Sequence, residues 1–161
     1  MGAPWFSHVM HVSREVVLGW RLWHVRLHEG ERRLESFTWH HVTWPAREPL
    51  VATCTAHGSD APVGEHECGI YSFRTRALAE DLLRRYTGVR QCYGREPPEP
   101  APPPPGRPIA LGRASLWGRI LVRDKGFRAQ FAYPYEFFLI GGDEPMARQL
   151  RRLYAVDVWS A

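Results

Sequence analysis

Residues 94–108 read GREPPEPAPPPPGRP and contain eight prolines. Proline has no N–H to offer a hydrogen-bond ladder, so neither a helix nor an inner strand can cross this stretch. It reads as a semi-rigid linker or exposed loop. The chain is thereby divided into half-units of about 16–93 and 109–159. A chain of 161 residues suits one domain of ordinary size with a shared core. A single domain over 1–161 is expected, with its elements distributed on both sides of the linker.

Composition permits that core and narrows the functional classes. Hydrophobic residues make up 44% and charged residues 24%, which excludes a wholly disordered chain. The longest apolar stretch, 129–140, is broken by Gln130, Pro134 and Glu136, so no membrane span is expected. The opening residues lack a charged-then-apolar secretory pattern. The chain has three cysteines, which cannot all pair within it. A reducing, cytoplasmic setting is the expectation. The net charge of +4 permits nucleic-acid contact without demanding it. Of 21 Lys and Arg residues only Lys125 is a lysine. That bias follows from GC-rich codon usage, and it also suits bidentate binding of carboxylates or phosphates.

Hydrophobic periodicity supplies the elements. Residues 16–27 alternate as a strand, with Val25 and Leu27 on the inward face. His28–Glu31 form a turn, and 34–44 return as a second strand. Residues 50–54 are a short apolar run, and 55–67 are an irregular loop. Residues 68–73 suit a buried strand. Thr75 then caps a helix with Ala79, Leu82, Leu83 and Tyr86 near one face, ended by Gly88. Residues 89–93 form a short strand. After the linker, 108–134 read as strand, strand, turn at 124–126, and strand; 135–140 is a further strand. Asp143 and Pro145 start a second helix, with Met146, Leu150, Leu153 and Tyr154 on one face. A terminal strand closes the chain. The seven tryptophans are expected in core and sheet-face packing; the alternative is an exposed aromatic surface for a ligand or a partner.

The two half-units echo each other. Each runs through a Leu-Trp strand, a glycine turn and a returning strand. Each then reaches a helix in which an arginine pair precedes a tyrosine. The fold class expected is α+β: a twisted, mostly antiparallel sheet with two helices on one side and an internal pseudo-duplication.

Five segments cover most of the chain: Gly19-Trp20-Arg21, Cys68-Gly69-Ile70-Tyr71, Leu116-Trp117-Gly118, Gly126-Phe127-Arg128-Ala129 and Tyr133-Pro134. In these the chain resembles a family of short uncharacterised proteins from high-GC bacteria. In that family a cysteine commonly stands two positions before the CGIY piece; here the residue is His66. The exchange of one zinc-binding residue type for another fits a metal ligand. The resemblance implies no activity.

The strongest chemical cluster is Cys54, His57, His66 and Cys68, spaced as C-x2-H, eight residues, then H-x-C. Zinc takes four tetrahedral ligands of these types. The H-x-C pair can serve one ion if the chain bends near Cys68, and Gly69 allows that. Four protein ligands make a structural site with no open position. The alternative is two small buried thiols beside surface histidines. A second group (His8, His11, His24 or His28, His40 and His41, with Glu35 or Asp60) has no focusing motif. No serine lies in a nucleophile elbow, Cys92 stands alone, and phosphate-binding glycine loops are absent.

Two function classes follow. The favoured one is a non-catalytic binding protein with a structural zinc ion, its partner a protein or single-stranded nucleic acid. Arg21, Arg26, Arg119, Arg123 and Arg128 lie on strands beside aromatic residues, and an exposed row of that kind makes a stacking platform. The alternative is a small enzyme using His and Cys residues in a pocket.

Overall fold

The computed structural model describes residues 9–37, 42–56, 58, 61–64, 66–88 and 107–160. The linker expectation for 94–106, the strand at 89–93 and Cys92 lie outside these residues. The elements are β1 (Val9–His28), β2 (Glu31–Ser36), β3 (Leu50–Val51), β4 (Ile70–Phe73), α1 (Arg76–Gly88), β5 (Ile109–Val122), β6 (Gly126–Ile140), α2 (Glu144–Tyr154) and β7 (Asp157–Ser160). The architecture is α+β, with a mixed but mostly antiparallel seven-stranded sheet.

Turn chemistry joins the hairpins. Glu29 and Gly30 both take positive φ, 50° and 81°, the backbone of a two-residue hairpin turn between β1 and β2. Arg123 and Gly126 exchange backbone hydrogen bonds around Asp124 and Lys125, which turns β5 into β6. Asp143 caps α2 by accepting from the Met146 N–H at 2.9 Å, and the Thr75 hydroxyl accepts from the Leu78 N–H at the start of α1.

β1, β5 and β6 are longer than their sequence suggests. The region from 109 to 122 is one strand, not two, because Gly118 (φ 76°) lies at a register shift between Trp117 and Ile120 and lets pairing resume. β6 likewise runs straight through Pro134. Ala114 pairs with Pro134 and Arg113 with Glu136, so Tyr135 is the extra residue of a bulge. A proline at a bulge deprives the sheet of little. β2 covers Glu31–Ser36, residues 38–41 of the expected return strand lie outside the described residues, and an isolated bridge joins Glu35 to Thr43.

The pairings β1·β5, β5·β6, β6·β4 and β4·β1 make a closed circuit. The last link is the pair Trp20↔Phe73. Glycine permits a tight approach on the β4·β6 link: a Cβ on Gly126 would overlap the Ser72 carbonyl. β7 adds to β6 in parallel, by way of α2.

Alternation along β1 sends Leu22 and Trp23 to opposite faces. Trp23 joins the larger core with Leu34, Trp44, Phe137, Leu139 and the α2 residues Ala147, Leu150 and Tyr154. Leu22 joins a smaller core with Phe37, Ile109, Leu111 and the α1 residues Ala79 and Leu83. The two helices therefore cover opposite faces, which corrects the expectation of one side. A hairpin followed by a helix does recur, so some topological repetition is present; the separate strand before the helix does not recur, because β6 is one strand to Ile140, and the placement of the helices does not follow the repeat either. Both faces of β1 are apolar, and each needs its own cover.

Candidate metal centre

The loop between β3 and β4 brings three of the four expected ligands together. Cys54 and Gly58 exchange backbone hydrogen bonds at 3.1 and 2.7 Å, closing a tight turn just after β3. The His66 N–H donates to the Val63 carbonyl at 3.2 Å. The Val63 N–H donates to Cys68 Sγ at 3.3 Å. Gly69 takes φ 112° immediately after Cys68, which is the bend that the H-x-C pair requires. A side chain there would press on Pro62 and Arg128.

The result is a compact donor set. The ligand atoms of Cys54, His66 and Cys68 all lie within 4.8 Å of one another. Cys54 Sγ is 3.4 Å from His66 Nδ1. Tetrahedral zinc, with bonds of roughly 2.3 Å to sulfur and 2.0–2.1 Å to nitrogen, would place such a pair about 3.6 Å apart. Neither cysteine forms a disulfide. Cys68 is buried, Cys54 half-buried and His66 exposed, so the cluster sits at the edge of the core. The residues present therefore fit a metal ion. His57 lies outside the described residues.

Arg128 stands beneath this loop. It projects from β6, is only 1% exposed, and its Nη1 donates to the carbonyls of His66 and Cys68, the latter at 3.0 Å. Its guanidinium also lies 5.7 Å from the Tyr71 ring centroid. Burial pulls the Arg128 guanidinium below its ordinary value, and the neighbouring Tyr71 hydroxyl opposes that shift.

The five arginines read as a binding row are dispersed. Arg128 is internal. Arg21 is half-buried over the Trp44 and Trp23 rings, at 4.6 and 5.6 Å, and donates to the Tyr71 carbonyl at 2.5 Å. Burial pulls its guanidinium down to about 9, still well above neutral pH. Arg26 pairs with Glu35 at 2.9 Å. Arg119 is half-buried, its N–H donating to Gln130. Arg123 is exposed at the hairpin turn.

A different aromatic and arginine face forms instead. Phe138 stacks on Trp159 with ring centroids 4.8 Å apart. Arg76 lies over Phe138 and Trp20, and Arg113 over Trp20 and Tyr135. Tyr135, Phe138 and Trp159 are 46%, 38% and 40% exposed. Arg76 and Arg113 pair with Glu80 and Glu136. The placement of Trp20 and Leu22 on one face of β1 hints at this face, but its assembly depends on strand register and on α1 lying alongside.

Of the second histidine group, His24 and Glu35 are cross-strand partners on β1 and β2, and among the described residues they are not part of a cluster of three or more metal-ligating side chains. His24 is buried, stacked on Phe37 and edge-on to Tyr86, while His28 is exposed. His8, His40, His41 and Asp60 lie outside the described residues. A cleft of about 550 Å³ is lined by Pro134, Tyr135, Glu136, Arg151, Ala155, Val156 and Asp157, with no Cys or His.

No protein-family model, curated protein or solved structure matches the chain.

Proposed function

We propose that the chain is a small, non-catalytic, cytoplasmic binding protein whose 54–68 loop is closed by a structural zinc ion. Cys54, His57, His66 and Cys68 are the proposed ligands. The observation that carries this reading is the convergence of Cys54, His66 and Cys68 within 4.8 Å. A polar loop on a small domain gains order when an ion ties its two ends. Thiolate ligation also suits a reducing compartment.

The test is elemental analysis of untagged protein purified without chelator. About one zinc per chain is expected for a four-ligand structural site; a content near zero overturns the reading. Cys68→Ala should lose the ion. His57→Ala separates two geometries. A four-ligand site weakens sharply, whereas a site of three protein ligands plus water, the arrangement of catalytic zinc, keeps its metal and opens the enzyme reading.

The exposed rings of Tyr135, Phe138 and Trp159, beside the half-buried Trp20, support a second element of the proposal, a stacking partner such as single-stranded nucleic acid. Titration of a labelled oligonucleotide at low and high salt tests it. Binding at about 50 mM salt that Trp159→Ala weakens is the expected result. No binding there removes nucleic acid and leaves a protein as the partner.

A further inference from the structure

We propose that Arg128 is the positioning residue of the metal centre: from the sheet, one buried guanidinium nitrogen holds the main-chain carbonyls of two ligand residues, so β6 sets the geometry of the loop's donors. The inference rests on the metal reading above and assigns a role to a residue outside the ligand set.

Arg128 occupies a fixed place. Its β6 position pairs with Tyr71 on β4 and with Leu121 on β5. It belongs to a strand paired on both sides, whereas the proposed ligands belong to an irregular loop. His66 and Cys68 each turn a carbonyl toward Nη1. These two carbonyls lie on either side of Glu67, so one donor constrains the whole H-x-C segment. Gly69 then packs against the Arg128 stem, where a Cβ would sit 3.2 Å from the Cβ of Arg128.

The dependence runs both ways. Among the described residues Arg128 has no carboxylate partner, and its buried Nε and Nη2 make no hydrogen bond. The two loop carbonyls are thus its main-chain acceptors, beside the Tyr71 hydroxyl that also favours the charge. A buried charge needs such partners. When the ion holds His66 and Cys68 in place, both carbonyls stay presented to Arg128. Conversely, Arg128 holds two donors near their bound positions before the ion arrives, which lowers the ordering that binding must impose.

Cobalt(II) titration of the untagged full chain, followed by thiolate-to-metal and d–d absorption, tests this. Arg128→Met keeps much of the buried volume and removes both hydrogen bonds. It should bind cobalt about 10- to 100-fold more weakly, the range for loss of a group that orients metal ligands, with an altered d–d band. Arg128→Lys retains a cationic donor and should recover part of that loss. Arg26→Met, on an exposed ion pair far from the loop in sequence, should bind as the parent does. A folded Arg128→Met protein with parental affinity and spectrum overturns the inference. If that variant does not fold, Arg128→Gln is titrated with the same two outcomes. Failure of the parent chain itself to bind cobalt or zinc overturns the metal reading, and the role of Arg128 with it.

Discussion

Tyr154 shows how one hydroxyl can tie three segments together. It accepts from the Leu34 N–H at 2.9 Å and donates to the Trp44 carbonyl at 2.9 Å. Its own carbonyl accepts from the Tyr133 hydroxyl at 2.7 Å. The ring is 1% exposed, so removing the oxygen leaves two main-chain groups unpaired in the core. Tyr154→Phe should cost about 1–3 kcal/mol, read from urea unfolding. Burial pushes the hydroxyl up to about 12 from an ordinary 10.0. The folded protein therefore holds this proton where the unfolded chain releases it. The stabilising contribution is complete below pH 10 and is lost as pH rises through about 12. A shift of this size amounts to about 2–3 kcal/mol. Parent and Tyr154→Phe stability curves should converge across that interval; parallel curves would refute the assignment. The helical spacing of Leu150 and Tyr154 marks the inward face from sequence. The partners Leu34 and Trp44, 120 and 110 residues away, carry no local signal.

At the scale of elements, turns and caps were readable because they depend on a few adjacent residues. The Glu29-Gly30 turn, the Asp143 cap and the apolar face of α2 all stand where the pattern places them. Strand continuity was not readable. Pro134 and Gly118 look like breaks, yet each lies at a bulge that the neighbouring strand accommodates. The circuit through β4 makes a sharper demand. Gly126 lies where a Cβ would overlap the Ser72 carbonyl, and main chain cannot swing aside as a side chain can. Gly126→Ala should separate β4 from β6 and cost roughly 2 kcal/mol or more, in the range of overpacked buried sites. Gly64→Ala, with nothing within 4 Å of its Cβ, should change the melting temperature little. Equal effects of the two substitutions would show that the close approach at β4 is not limiting.

Across the whole molecule, loop and sheet should respond differently to metal removal. The described candidate ligands lie in 54–68, while the larger core is built mainly on β1, β5, β6 and α2. Chelation should therefore raise amide hydrogen exchange over the described parts of 52–68 and leave the paired amides of β5 and β6 protected. Equal loss of protection in both regions would mean that the ion holds the entire fold. By itself the sequence determined the residue chemistry and the local periods: the α+β class, two amphipathic helices, the hairpin turns and the thiol and imidazole donors near 54–68. Periodicity follows from backbone geometry, so it survives in any one segment. Only the tertiary structure decided which sheet face each helix covers, which arginines are buried, and that Arg128 reaches the ligand loop. Those outcomes depend on strand register between residues far apart in the chain, such as Val9 and Val122. An arginine on a strand has the same local pattern whether its partner across the sheet is water, an indole ring or a carbonyl.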